Sequence, residues 1–125
     1  MEKITSGPES SDLPFSEGII HNGTVYVSGQ GPLDPQSGEI LGSTPSEQTH
    51  LTLDNIQRIL EAGGSSLDSI VKATVYLDDI EYYDEVNEAY GARLSEPFPA
   101  RTAMEVVNLP VDIAVEIDVI AAVED

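Results

Sequence analysis

Residues 98–121 read FPARTAMEVVNLPVDIAVEIDVIA, and how this stretch is divided decides the fold. Pro97 and Pro99 forbid a helix from running in from upstream. Asn108-Leu109-Pro110 separates two apolar segments, so residues 101–107 and 113–121 are predicted as strands. In the second, Val115, Ile117 and Val119 alternate with Glu116 and Asp118, the period of a strand with one buried face. Arg101 stands at the mouth of the first. The chain has only five basic residues against 23 acidic ones, and a solvated charge would sit more easily almost anywhere else.

Upstream, IVKATVYL (70–77) alternates Val71, Ala73, Val75 and Leu77 against Lys72, Thr74 and Tyr76, and is predicted as a short interior strand. Asp79 caps a predicted helix running to about Leu94, with Tyr83, Val86 and Tyr90 on one face and Asn87 beside them. Further back, Thr44-Pro45-Ser46-Glu47 is a capping box with proline at the first helical position. It predicts a helix over 45–62, stopped by Gly63-Gly64, whose buried face carries Leu53, Ile56 and Leu60, widened by Leu51 and Ile59. In SEGIIHNGTVYVSGQGPLDPQSGEI (16–40), Asn22-Gly23 lies between two apolar segments and predicts a β-hairpin. Asn22-Gly23-Thr24 also fits the glycosylation acceptor pattern, but the turn reading is preferred. Ser28-Gly29-Gln30-Gly31-Pro32 is predicted as a tight glycine-rich loop that turns at Asp34, Pro35 and Gly38.

The predicted order is therefore ββ(β)αβαββ, an α+β layer with two helices on one face of a mixed sheet. Residues 1–125 are expected to form one domain, with no internal repeat or linker. The other sheet face is expected to expose contiguous apolar surface, for which a second subunit is the simplest cover.

Composition bounds the chemistry. No cysteine is present, so disulfides, thiolate zinc sites and a cysteine nucleophile are excluded. The N-terminal MEKITSGPES has no apolar signal core and no run approaches a membrane span, so a soluble cytoplasmic protein without membrane contact is expected. A formal charge of −18 argues against a nucleic-acid partner, which needs clustered Lys and Arg. Acidic residues scattered over the whole chain, 40% of which is apolar, resemble the surface of a protein working in molar salt, and a salt-accumulating halophile is the expected source.

Among candidate site residues, Arg101 has two readings: an incidental ion pair with one of many carboxylates, or a planar fork held toward a cleft to take a ligand carboxylate bidentately. Glu116 is either an exposed strand residue or, if its face lines a cleft, a carboxyl with raised pKa able to carry protons. Ser28-Gly29-Gln30-Gly31 lacks the remaining parts of a dinucleotide or phosphate loop, and its glycines fit close backbone approach. Ser28 has no histidine near it in sequence to make it a nucleophile. His21 and His50 belong to no spaced ligand set, so no metal is expected. Asp78-Asp79 and Asp84-Glu85 read as solvated acidic surface, and Tyr83 and Tyr90 as core.

Taken together, YVSGQGPLDPQSGEI (26–40), VNEAYGARL (86–94) and FPARTAMEVVNLPVDIAVEIDVIA (98–121) resemble the Rid (reactive intermediate deaminase, YjgF) family. The C-terminal signature is the most specific part, with Pro99, Ala100, Arg101, Thr102, Val106, Leu109, Pro110, Val115, Glu116 and Ile117 in register. The resemblance implies a chorismate-mutase-like α+β subunit in a homotrimer, with ligand clefts between subunits. It implies hydrolysis of 2-imino acids, of the 2-iminobutanoate and 2-iminopropanoate type, to 2-oxo acids and ammonia without metal or cofactor. Carried over, Arg101 binds the substrate carboxylate, Glu116 positions or activates the water, and Ser28, Gly31 and Asn87 line the cleft. Phe15 and Ala103 stand where the family often has tyrosine and cysteine, which bears on substrate preference and rate.

Two other functions are compatible with such a chain. One is a non-catalytic trimeric module binding small carboxylates as a sensor or regulator. The other is a ribonuclease, which the net charge disfavours.

Overall fold

Asn22 and Gly23 both take positive φ, 53° and 75°, the conformation a two-residue type I′ hairpin requires. They join β2 (Gly18–His21) to β3 (Thr24–Gln30), with His21 paired to Thr24. In this computed structural model, which describes residues 1–7 and 13–125, the remaining elements are β1 (Glu2–Ile4), α1 (Pro45–Ala62), β4 (Ile70–Leu77), α2 (Tyr83–Arg93), β5 (Ala100–Glu105) and β6 (Val115–Ala122). The strands form one sheet in the order β1-β2-β3-β6-β4-β5. Every neighbouring pair is antiparallel except β4 and β5, which run parallel because α2 lies between them in the chain. The fold is thus the α+β layer expected, with β6 central and β4 interior.

The capping box forms as its residues predict. Thr44 Oγ1 accepts from the Glu47 backbone N–H at 3.1 Å, and Glu47 Oε1 accepts from Thr44 N–H at 3.1 Å. One face of α1 buries Leu53, Ile56, Ile59 and Leu60 completely, while Leu51 is only half-buried at its margin. Asp79 also caps, accepting from Glu81 N–H at 2.9 Å, but the turn it opens is a 3-10 turn over Ile80–Tyr82 that precedes α2. Arg93 at the end of α2 ties the helices together, donating to the His50 carbonyl at 3.0 Å and to Asp54 at 2.7 Å. Both helices cover the sheet face that carries Val25, Val27, Ala73, Val75, Leu77, Val115, Ile117 and Val119, all buried.

Five expectations are corrected. β1 was not foreseen. It pairs with β2 through Lys3 and Ile19, and its one apolar anchor, Ile4, is buried against Gly18 and Gly63, where added Cβ atoms would meet Ile4 Cδ1 at 3.0 and 2.6 Å. Ser28-Gly29-Gln30 is strand and not loop: Val27 pairs with Val119 and Gln30 with Ile117, so three steps along β3 match two along β6 in a bulge. A second irregularity, between Ile70 and Lys72, turns Val71 out of the core to 54% exposure. The open face is not contiguously apolar either. Tyr26, Ile120 and Met104 share it with Lys72, Thr74, Tyr76, Thr102, Glu116 and Asp118, because the alternation that buries one face leaves a mixed set on the other. β5 also ends before Val107, which is 93% exposed.

Candidate active site

Parallel pairing places Arg101 beside Ala73, a fully buried residue of the helix-covered face, so Arg101 lies on that face at the β5 edge of the sheet. There α2 meets it. Nη2 of Arg101 donates to Asn87 Oδ1 at 2.6 Å, and the guanidinium carbon stands 4.8 Å from the centre of the Tyr90 ring and 5.7 Å from that of Tyr83. Tyr83, Asn87 and Tyr90 fall three to four residues apart and share one helix face. No carboxylate pairs with Arg101 among the described residues, whereas Arg93 pairs with Asp54. Its surroundings are therefore an amide oxygen and two aromatic faces, not the incidental ion pair that so acidic a chain makes easy. Ala103, two residues on and opposite Val75, packs against the core beside it.

Glu116 pairs with Tyr76 of β4 and projects from the open face. Gly29 makes room for it: a Cβ there would overlap the Glu116 carboxylate, so the bulged glycine lets this acid lie down on the strand. Burial holds the Glu116 carboxyl above the ordinary glutamate value of 4.5, and the charge of Asp118 adds to the effect. Asp118 in turn accepts from the Tyr76 hydroxyl at 2.7 Å, and this bond, with burial, pushes the Tyr76 phenol up to about 12. Ser28 Oγ donates to the Ser16 carbonyl at 2.6 Å, tying β3 to the segment that carries Phe15, which is 63% exposed. Gly31 is buried under Ile113, and its carbonyl accepts from Asn55 at 2.9 Å.

The expected site residues thus fall into two groups. Arg101, Asn87 and Ala103 come together at the helix-covered edge, and Glu116 and Ser28 lie along the β3–β6 seam. The sheet itself separates Arg101 from Glu116. Sequence reasoning missed the contacts of Tyr83 and Tyr90 with Arg101, for which their shared helix face with Asn87 was the available signal. It also missed Gly29 and Asp118, whose relation to Glu116 depends on pairing register. His21 contacts the neighbouring Asn22 side chain at 3.2 Å, and His50 packs against Arg93. Of the acidic pairs, Asp79 caps its turn and Glu85 accepts from Ser46 N–H at 2.8 Å.

A six-stranded mixed sheet with two helices on one face, a glycine-bulged strand and an arginine at the start of its parallel edge strand define the class of Rid-like α+β domains. Residues 8–123 match the family described as Endoribonuclease L-PSP. A RutC family protein of Pyrococcus horikoshii is 43% identical over 108 residues, 86% of each chain. A Bos taurus protein named 2-iminobutanoate/2-iminopropanoate deaminase is 40% identical over 108 residues, 86% of this chain and 79% of its own. The crystal structure of RidA from an Antarctic Psychrobacter superposes with a TM-score of 0.89 at 35% identity, over 98% of this chain and 99% of the other. The chain belongs to the Rid (YjgF/RutC) family. Among the described residues, no helix is long and apolar enough to cross a membrane.

Proposed function

We propose that this protein hydrolyses 2-imino acids of the 2-iminobutanoate and 2-iminopropanoate type, with their enamine tautomers, to 2-oxo acids and ammonia. The observation that carries the reading is Arg101: a guanidinium oriented by an amide and two rings, with no carboxylate partner among the described residues of a chain holding 23 acidic ones. Such a cation is ready for the carboxylate of a ligand. Glu116, its carboxyl raised by burial, is a better proton acceptor than an exposed glutamate.

In the step assigned to it, a water held by Glu116 attacks the imine carbon and gives its proton to the carboxylate. The C=N electron pair moves to nitrogen. That proton then passes to the amine nitrogen, the C–N bond breaks to release ammonia, and the remaining hydroxyl gives its proton back to the Glu116 carboxylate, from which the ammonia takes it, so that the 2-oxo acid and ammonium are the products. The substrate is already electrophilic when protonated, so positioning, a water and a proton acceptor suffice, with no electron transfer to supply.

Since Arg101 and Glu116 stand on opposite faces of one sheet, a small substrate reaches both only where the Glu116 face of one copy meets the Arg101 edge of another. The proposed site is therefore a cleft between subunits of a homotrimer, lined by Ser28 and Gly31 from the first copy and Asn87 and Ala103 from the second, with Phe15 at its margin. This also answers what covers the open face. The test generates the imine in situ with a pyridoxal-phosphate dehydratase and follows 2-oxo acid and ammonia release. Acceleration above the rate of water hydrolysis is expected. Binding of a 2-oxo acid without any acceleration would overturn the enzyme reading in favour of a carboxylate-binding module.

A further inference from the structure

We propose that Tyr90 is a positioning residue for Arg101: its buried ring, together with the Asn87 amide, holds the guanidinium plane in the attitude that receives the α-carboxylate, and so sets affinity for 2-imino and 2-oxo acids. The inference rests on the reading of Arg101 as the carboxylate anchor. Tyr90 is 5% exposed and belongs to the core cluster, so its position is not adjustable. Its ring centre lies 4.8 Å from the guanidinium carbon, within the distance at which a cation is drawn to an aromatic face. Tyr83 approaches to 5.7 Å, but it is 40% exposed and less tightly packed.

The hydroxyl of Tyr90 is buried and has no hydrogen-bond partner among the described residues, an arrangement that costs stability and that phenylalanine would avoid. The contact with Arg101 is thus made by the π-face alone. An arginine side chain has several rotatable bonds, and a guanidinium tethered only through one nitrogen to Asn87 still swivels about that bond. A fixed ring beneath it removes the swivel and leaves the remaining N–H groups in one plane for a ligand carboxylate.

The experiment varies the charge of the ring face without changing its size. Phenylalanines fluorinated at one, two and three ring positions replace Tyr90, with Tyr90→Phe as reference, in otherwise wild-type protein and in the Arg101→Ala background. Pyruvate binding is measured by titration calorimetry, and KM and kcat for imine hydrolysis by 2-oxo acid release. Pyruvate affinity should fall stepwise with fluorination, by roughly 3- to 30-fold over the series. The loss should fall on KM and not on kcat, and it should vanish in the Arg101→Ala background, because the ring acts through the guanidinium. If Arg101→Ala weakens pyruvate binding but fluorination does not, Tyr90 is core filling only and the inference is wrong. If Arg101→Ala itself leaves pyruvate affinity unchanged, the carboxylate-anchor reading fails, and this inference with it.

Discussion

The Arg101 edge and the Glu116 seam are both half-buried places where the chain keeps a charge, and they are furnished in opposite ways. Around Arg101 the neighbours are an amide oxygen and two rings, with no carboxylate pairing among the described residues. Around Glu116 the charge that acts on it is another carboxylate, Asp118, which raises its pKa further. A cation lacks its anion on one face while an anion sits beside an anion on the other. In the function proposed above, the two neighbourhoods take opposite ends of one substrate, a carboxylate and a protonated imine. Both ends would be met together only across two copies, because the sheet lies between the two residues.

The largest effect is expected where that complementarity is cut. Arg101→Ala should lower kcat/KM by roughly 30- to several-thousand-fold, the cost of leaving a desolvated carboxylate unpaired. Glu116→Gln should lower kcat by roughly 10²- to 10⁴-fold while pyruvate still binds. If the two residues act from different copies, unfolding and refolding the two inactive variants together should restore part of the activity, since some mixed assemblies then hold a cleft with both native residues. No recovery in verified mixed trimers would mean that each chain carries its own site.

A smaller effect is expected from Gly29→Ala, which acts on the seam alone. The added Cβ overlaps the Glu116 carboxylate, the far end of a flexible side chain, so the protein should fold with its melting temperature little changed. The displaced carboxylate should cost about 10- to 100-fold in kcat, as a misplacement on the order of 1 Å does in other sites. An alanine variant of full activity would show that the placement of Glu116 on the strand does not matter.

The smallest effect concerns stability. A carboxyl whose folded pKa lies above its unfolded one favours the native state below the ordinary value of 4.5, and that contribution is lost as pH rises through the raised value. Glu116→Gln should therefore melt higher than the native protein near pH 7, by roughly 2–5 °C after allowance for the solvent that still reaches the carboxylate. The advantage should disappear toward pH 4. Calorimetry across that range checks it, and a variant less stable at pH 7 would reverse the sign assigned here.

What the sequence determined by itself was local. Asn22-Gly23 specified a turn with two positive φ angles, Thr44 to Glu47 closed its own capping box, and the alternation in 70–77 and 113–121 marked strands. Arg101 stood out as a candidate at the start of 101–107, and Glu116 within 113–121. Each of these signals lies within a few residues of its cause, so it survives without knowledge of the neighbours. Only the tertiary structure decided the rest. Ile4 makes a strand because Gly18 and Gly63 leave space for it, and Ser28 to Gln30 remain in the ladder because β6 absorbs the extra residue as a bulge. The turning out of Val71 is likewise a matter of register against β6. The separation of Arg101 from Glu116 by the sheet follows from parallel pairing of β5 with β4 and antiparallel pairing of β6 with β4. A strand's own alternation names two faces but cannot say which of them the helices will cover, or what will stand opposite; that is set by pairing between residues tens of positions apart in the chain.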